Sequence, residues 1–600
     1  MCGIVACRTA TSAAPYLVHA LRLLEYRGYD SIGVAVRGSD AALVTVRSIR
    51  RVDDLAALLA ARDPDGLGGV GIGHTRWATH GEVSERNAHP HRDCTGSLAV
   101  VHNGIIENAT ELRAELRGRG HEFASDVDSE VVCHLLEEHV DAGRDALAAL
   151  EATVARLRGS WALVVLDGET GALVATAHGS PLVVAASPLG VFAASDVAAI
   201  ADWVDEVVPL RDGDVVELSD EPRWMRAGVR RSAPAAVSAA PARRSVEPLD
   251  HPDFMAKEIA EQPAVAAGIL DALRPGIERG RLWRELGLPD FSRVAVLGCG
   301  TSLNAGTVVG RAFSRLGGVP AEALVASEAA ESVLPPGTLL LAFSQSGETA
   351  DVLRALDDLD PGIPVLAVTN NPHSTLARRA SSILHCLAGP EVGVAATKTF
   401  VAQVVTGVCA ALSALTAIGR VPRARLREAV EELARAPERL ARALDVGAAT
   451  IPPVVARVSA APGFVFLGRG AGVPYAVEGA LKLKELSYRW AEAYPAGELK
   501  HGPLALVEPG TPVIAVDDGA PRLAGNLAEV AARGAAVVTI GGPGSTVPTL
   551  GAWSPTRAAA APWGPLDAVV PLQMLARELA LGLGRDVDKP RNLAKAVTVD

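Results

Sequence analysis

The sequence contains no CxxC pair. Its seven cysteines, Cys2, Cys7, Cys94, Cys133, Cys299, Cys386 and Cys409, are odd in number and scattered. That excludes a compact disulfide framework and points to reduced thiols in a cytoplasmic protein. Positive charge is not in surplus: 57 Lys and Arg stand against 69 Asp and Glu, a net charge of −12, so nucleic acid is not an expected partner. No basic segment followed by an apolar run opens the chain, so no secretion signal is expected. The uncharged stretch 399–419 is long enough to span a bilayer. It carries Gln403 and several Thr, Ser and Gly residues and has no second copy, which favours a buried core helix and no membrane association.

What is present is a long globular chain. Six hundred residues, 49% apolar and 21% charged, predict two to four domains. From 1 to about 217 the sequence is dense in short β-type runs such as GIVAC, SIGVAVR, SLAVVHNG and WALVVLD, with helical stretches near 14–26, 108–118, 129–142 and 143–157. This pattern predicts an α/β domain with layered sheets over 2–217. An Ala-, Pro-, Ser- and Arg-rich stretch then breaks the periodicity and predicts a linker over 218–252. Beyond it, short apolar strands alternate with helices, as in a doubly wound parallel sheet. RVAVLGCGTS at 293–302 is echoed by GFVFLGRGAG at 463–472, so two similar α/β domains are expected in tandem, over 283–422 and 452–590. The tail 591–600 is too short to be a domain.

The first stretch with chemistry is MCGIV. Cys2 is either an incidental residue of a buried strand or, once Met1 is removed, a thiol sharing its residue with a free α-amine. Such an amine titrates near about 7.7–8.0 and can act as base for the thiol in acyl transfer. Three further stretches favour the second reading. Asn103 and the Gly104 N–H, at the end of an apolar strand, are suited to stabilise an oxyanion. Arg76 is suited to hold a carboxylate, and Asp128 an ammonium group. Together they describe a site for a free amino acid whose side-chain amide is cleaved, and glutamine fits.

MCGIV, LEYRGYDSIG, GHTRWATHGEVSERNAHPH and VVHNGIIEN resemble the N-terminal-nucleophile glutaminase domain of class II amidotransferases. The resemblance implies a four-layer αββα sandwich with Cys2 as nucleophile. It also implies that Arg76 and Asp128 hold glutamine, that Asn103 and Gly104 form the oxyanion hole, and that Trp77 and His80 line the site. His74, His80, His89, His91, His102 and Cys94 match no compact ligand spacing, so neither a metal nor another cofactor is expected.

In the second half, LGCGTSLNAG lacks the third glycine of a dinucleotide fingerprint and the GK[ST] of a P-loop. AFSQSGETAD places three hydroxyls and an amide between an apolar strand and an amphipathic helix. Such a helix start is either an ordinary cap or a phosphate site needing no lysine. GCGTS with SQSGET resembles a sugar isomerase domain. GRGAGVPYAVEGALKLKELSY and AEAYPAGELKHGPLAL resemble a second copy, whose AVDDGAP replaces SQSGETA, so phosphate is expected in the first copy only. Glu478, Lys482 and Glu485 share one predicted helix face, as a surface ladder or as catalytic groups.

A glutaminase followed by two sugar isomerase domains resembles the glutamine–fructose-6-phosphate aminotransferase (isomerizing), or glucosamine-6-phosphate synthase, family. The resemblance implies glutamine and fructose 6-phosphate as substrates and a homodimer with a shared sugar site. Thr301, Ser302, Ser344, Gln345, Ser346, Thr349 and Val394 would hold the sugar phosphate. Glu485, beside Lys482, would move the proton, Lys595 in the tail would form a Schiff base, and His501 of a neighbouring subunit would open the ring. Ala6, Cys7 and Ala396 depart from the family pattern; the last stands where a serine is usual beside the sugar. A paralogue acting on a related ketose phosphate, or another class II amidotransferase, is therefore the alternative. The SGGxDS loop and the phosphoribosyl-pyrophosphate loop of such alternatives are not found.

Overall fold

The computed structural model describes residues 2–61, 67–77, 81–239, 250–519, 522–541, 552–553 and 561–598. The chain divides into two compact units, Met1–Val246 with Ala594–Asp600, and Glu247–Leu593.

The first unit holds two antiparallel sheets. In spatial order the eight-stranded sheet runs Val237–Ser238, Glu206–Pro209, Val183–Ser187, Gly190–Ala194, Gly3–Thr9, Leu67–Arg76, Ser31–Gly38, Leu43–Ser48. The seven-stranded sheet runs Val229–Arg231, Arg223–Arg226, Val215–Glu217, Leu173–His178, Gly159–Asp167, Leu98–Ile106, His91–Arg92. Strand alternation sorts the side chains into three cores. Ile4 and Ala6 face Ala99, Val101, Ala162 and Val164 of the other sheet. Val5 and Cys7 point the opposite way, onto Leu17, Leu21 and Leu24 of the helix Ala14–Leu24 and onto Leu55 of Val52–Ala60. Leu98, Val100, Leu163 and Val165 cover Leu112, Val131, Leu135 and Leu150 of the helices Ala109–Gly118, Glu130–Asp141 and Ala146–Val154. Two sheets with helices on both outer faces are the expected αββα sandwich.

The stretch expected as a linker is partly built into this unit. Met225 pairs with Arg230 and Arg226 with Val229, around Ala227 and Gly228 at φ 49° and 73°, a two-residue hairpin turn with both central residues left-handed. Trp224 is buried between the sheets, and Ala239 is buried in the outer core. These are short edge strands with mostly exposed side chains, so the alternation that marks a strand in sequence is missing. Residues 240–249 of that stretch lie outside the described residues.

The second unit carries two five-stranded parallel sheets. The first runs Ala321–Val325, Arg293–Gly298, Thr338–Ser344, Val365–Thr369, Ser382–His385; the second runs Trp490–Pro495, Gly463–Gly468, Pro512–Asp517, Ala536–Gly541, Ala552–Trp553. Both place the second strand outside the first and the third on its other side. The winding thus reverses between first and third strands, where loops open a crevice at the carboxyl ends. Helices from both copies share one core, among them Gly300–Gly317, Lys398–Ala417, Val473–Ser487 and Val569–Gly582. Lys398–Ala417 contains most of the uncharged stretch noted above. Among the described residues it is the one helix long and apolar enough to cross a membrane, and 89% of its apolar window is buried. Its lack of charge follows from its central place in this core.

Candidate functional site

Register delivers Cys2 to its neighbours. Gly3 pairs with Thr75 and Ser31 with Arg76, so Cys2, at the end of a central strand, meets the turn where Leu67–Arg76 ends. The Trp77 N–H donates to Cys2 Sγ at 3.3 Å, and Sγ lies 3.5 Å from the Trp77 carbonyl. Asn103 reaches across from the other sheet, where it pairs with Ala162. Its Nδ2 donates to the Cys2 carbonyl at 3.1 Å, and Arg27 Nε donates to the same oxygen at 3.3 Å. Burial pushes the Cys2 thiol up from its ordinary value, against the Trp77 N–H, Arg76 and Arg27.

The Asn103 amide is oriented by His74, whose Nε2 lies 3.1 Å from Asn103 Oδ1 and 2.9 Å from the His102 carbonyl. With two acceptors facing it, Nε2 must carry the proton, which leaves Asn103 Nδ2 free to aim at Cys2. Burial holds His74 at about 3, so it is neutral at physiological pH. Gly104 follows at φ 129°; a Cβ there would sit 2.1 Å from the Ser160 carbonyl oxygen across the ladder, so no side chain fits.

Arg76 is buried, and burial lowers its guanidinium against the opposing effects of Cys2, Asp30 and Asp128. Asp128 Oδ2 accepts from the Ile106 N–H at 2.8 Å. Trp77 is half-buried, with Tyr29 edge-on at 5.3 Å. The fold thus brings Cys2, Arg76, Trp77, Asn103 and Asp128 into one neighbourhood; His80 lies outside the described residues. Sequence reasoning gave Arg27 no role in the site and His74 only a structural or supporting one through the family resemblance. Arg27 lies in the quoted LEYRGYDSIG, where its ion pair with Asp196 (2.7 Å) has no local signature.

In the second unit, GCGTS and SQSGET occupy the first- and third-strand crevice of the first copy. The Ser344 and Thr349 hydroxyls lie 2.9 Å apart, the Gly347 N–H donates to Ser344 Oγ at 3.0 Å, and the Glu348 N–H to Ser346 Oγ at 3.1 Å. Gly347 has φ 67°, and a Cβ there would meet Ser374 Oγ at 2.0 Å. This bonded turn aims the start of helix Ala350–Asp358 into the crevice. Ser302 Oγ accepts from buried Gln403 at 3.0 Å. Thr301 does not point its hydroxyl hydrogen into free space: it donates to Glu478 at 3.0 Å, and Asn304 Nδ2 donates to the other carboxylate oxygen at 2.8 Å.

Glu478, Lys482 and Glu485 do share one face of Val473–Ser487, and the face is not a surface ladder. Glu478 and Lys482 are fully buried. Lys482 Nζ stands 3.7 Å from Glu478 and 2.5 Å from the one-fifth-exposed Glu485. Burial would lower Lys482, but Glu485 and Glu478 outweigh it and raise it; burial raises Glu478, against Lys482. Val394 is buried and its N–H donates to the Asp588 carbonyl at 3.0 Å. His501 is exposed, at the end of the short helix Ala496–His501. Lys595 is half-buried and belongs to the segment Ala594–Asp600 of the first unit. At the matching crevice of the second copy, Asp518 accepts from the Ala471 N–H at 3.0 Å and Asp517 from the Gly519 N–H at 2.8 Å.

Comparison with known proteins agrees with this division. The glutamine amidotransferase domain family matches residues 74–202, and the SIS domain family matches 288–413 and 460–553. A glutamine–fructose-6-phosphate aminotransferase (isomerizing) from Methanothermobacter thermautotrophicus is 39% identical over 612 residues, covering 100% of both chains. One of the same name from Thermus thermophilus is 42% identical over 629 residues, again covering 100% of both. Among solved structures, the C-terminal domain of glucosamine-fructose-6-phosphate aminotransferase from Francisella tularensis matches with a TM-score of 0.51 and 30% identity, covering 57% of this chain and 100% of that one. With end-to-end relatives of this identity and both kinds of domain in place, the chain belongs to the glutamine–fructose-6-phosphate aminotransferase (isomerizing) family.

Proposed function

We propose that this chain takes ammonia from glutamine and transfers it to fructose 6-phosphate, giving glutamate and glucosamine 6-phosphate. The observation that carries the first half is the setting of Cys2, with its sulfur at the Trp77 N–H and its carbonyl held by Asn103 and Arg27. Since burial keeps the thiol protonated, a base must act, and the α-amine exposed on removal of Met1 is placed on the same residue. The thiolate attacks the glutamine amide carbon, Asn103 and the Gly104 N–H stabilise the oxyanion, and the C–N bond breaks with release of ammonia. Water then cleaves the thioester to glutamate. Arg76 and Asp128 hold the α-carboxylate and α-ammonium groups, and Trp77 lines the site and shields the ammonia.

In the second half, Ser302, Ser344, Gln345, Ser346 and Thr349, with Thr301 and the backbone near Val394, hold the phosphate in the first copy. The carboxylates of Asp517 and Asp518 disfavour an anion at the matching crevice of the second. His501 opens the ring, and its exposure suits donation to a neighbouring subunit of a homodimer. Lys595 forms a Schiff base with the open-chain ketose. Ammonia replaces it at C2, and Glu485, its charge steadied by Lys482, moves a proton between C1 and C2. Water is the other product of imine formation, so atoms balance. The glutaminase domain extends from 2 past 217 to include the edge strands up to Val237–Ser238, the two sugar isomerase domains span 283–422 and 452–590 with the tail 591–600, and the protein is soluble and cytoplasmic, free of a membrane.

The test is to incubate the purified protein with glutamine and fructose 6-phosphate and identify the products. Glucosamine 6-phosphate with equimolar glutamate is expected; glutamate without an amino sugar refutes the acceptor. Cys2→Ala is expected to abolish glutamine-dependent synthesis, and retained activity refutes the nucleophile.

A further inference from the structure

Cys94 is an exposed thiol, and it is not isolated. Its Sγ lies 3.6 Å from His121 Nδ1 and 3.5 Å from His134 Nδ1. Glu137 Oε2 lies 2.9 Å from the first nitrogen and 3.1 Å from the second. These four donor atoms fall within 4.8 Å of one another. Zinc bonded to sulfur at about 2.3 Å and to nitrogen at about 2.0–2.1 Å with tetrahedral angles sets sulfur and nitrogen roughly 3.5 Å apart. The two S···N separations meet that value. The N···O pairs are a few tenths of an ångström shorter than the edges of a zinc polyhedron.

We propose that Cys94, His121, His134 and Glu137 form a zinc site in the first unit, a second feature of this unit separate from the glutamine chemistry. The charges suit it: one thiolate and one carboxylate with two neutral imidazoles balance a divalent ion. The donors select the metal, since thiolate with imidazole favours zinc over magnesium or calcium. The outer shell is in place for one imidazole: His121 Nε2 lies 3.4 Å from Glu138, whereas His134 Nε2 stands 3.9 Å from Glu130, beyond hydrogen-bond reach. Ligating histidines ordinarily turn their second N–H to a carboxylate in this way. His134 is fully buried, whereas Cys94 is exposed, so the ion has a built interior and a route in. Binding releases the Cys94 proton to solvent.

Four protein ligands make the site structural rather than catalytic. It joins the turn after strand His91–Arg92, the segment that follows helix Ala109–Gly118 and the middle of helix Glu130–Asp141. That last helix starts two residues after Asp128, so the ion braces the helix that follows a proposed glutamine contact. Sequence spacing hides the set, because its members stand 27, 13 and 3 residues apart in the chain.

The full chain, stripped of metal by a chelator under reducing conditions, is titrated with Zn²⁺ against a chromophoric chelator and separately with Co²⁺. One equivalent is expected, with the intense visible bands of tetrahedral cobalt and a thiolate charge-transfer band. Cys94→Ala, at an exposed position that does not threaten the fold, is expected to lose that band. It should weaken zinc by more than the roughly 10–100-fold that Glu138→Gln costs through the outer shell. Cys2→Ala is expected to keep both the band and the affinity. An affinity unchanged in Cys94→Ala, only the weak spectrum of octahedral cobalt, or a band that disappears with Cys2 rather than Cys94 overturns the site.

Discussion

Lys482→Met is the sharpest perturbation of the second unit, because it removes one cation from between two carboxylates while nearly preserving volume. Lys482 Nζ stands 3.7 Å from Glu478, a fully buried side chain. At an effective dielectric of about 20 that pair is worth about 4 kcal/mol by Coulomb's law. This agrees with the roughly 3–5 kcal/mol lost when one partner of a buried pair is removed and the other is left uncompensated. In a unit larger than 250 residues this lowers the melting temperature by roughly 5–10 °C. The loss depends on pH. Burial raises Glu478, and Lys482 opposes that rise, so the variant raises it further. Between the unfolded carboxylate value, about 4.3, and the higher folded value, the folded state binds more protons, and stability falls as pH rises. The deficit is therefore greater at pH 8 than at pH 5. Calorimetry at both pH values, with glutamine hydrolysis assayed alongside amino-sugar formation, tests this. Synthesis should be lost while glutamine hydrolysis persists. Melting within 1 °C of the parent at both pH values, or a deficit larger at pH 5, would refute the reasoning.

Asn103→Ala should reduce kcat for glutamine hydrolysis by about 10²–10³-fold with little change in KM; an unchanged kcat removes Asn103 from the oxyanion site. His74, held at about 3, is neutral when folded and protonated when unfolded between that value and its ordinary 6.5, so the first unit should lose stability as pH falls through this window. His74→Gln, which has no titration there, should flatten that acid limb in urea midpoints measured between pH 7 and 4; an equally steep limb argues against a His74 contribution. Gly104→Ala drives a Cβ to 2.1 Å from the Ser160 oxygen at φ 129° and should cost at least about 3 kcal/mol, read as loss of soluble protein or a lowered urea midpoint. A parental midpoint would show that this strand pairing can adjust.

The elements were legible where their period repeats. GIVAC and SLAVVHNG became the strands Gly3–Thr9 and Leu98–Ile106, and the echo of RVAVLGCG in GFVFLGRG became two sheets with one strand order. Cys7, which departs from the family pattern, lies buried in the layer beneath helix Ala14–Leu24. The hairpin around Ala227–Gly228 was missed because an exposed edge strand needs no apolar alternation. The face shared by Glu478, Lys482 and Glu485 followed from helical spacing, but spacing alone left it equally suited to a solvated ladder. Arg27 was missed as part of the site, and the orienting contact of His74 was not foreseen, because their partners, Asp196 and Asn103, lie 169 and 29 residues away.

The amino-acid sequence by itself determined the residue types available for chemistry, the two local periods and the internal repeat. All of these arise from forces acting over a few neighbouring residues. Only the tertiary structure decided which groups meet and in what medium. Strand register set Asn103 against Cys2, and a continuous core around Val473–Ser487 buried Glu478 with Lys482. Packing of a turn against two helices gathered Cys94, His121, His134 and Glu137. Desolvation and the approach of distant charges govern what such groups do, and both depend on how remote segments pack.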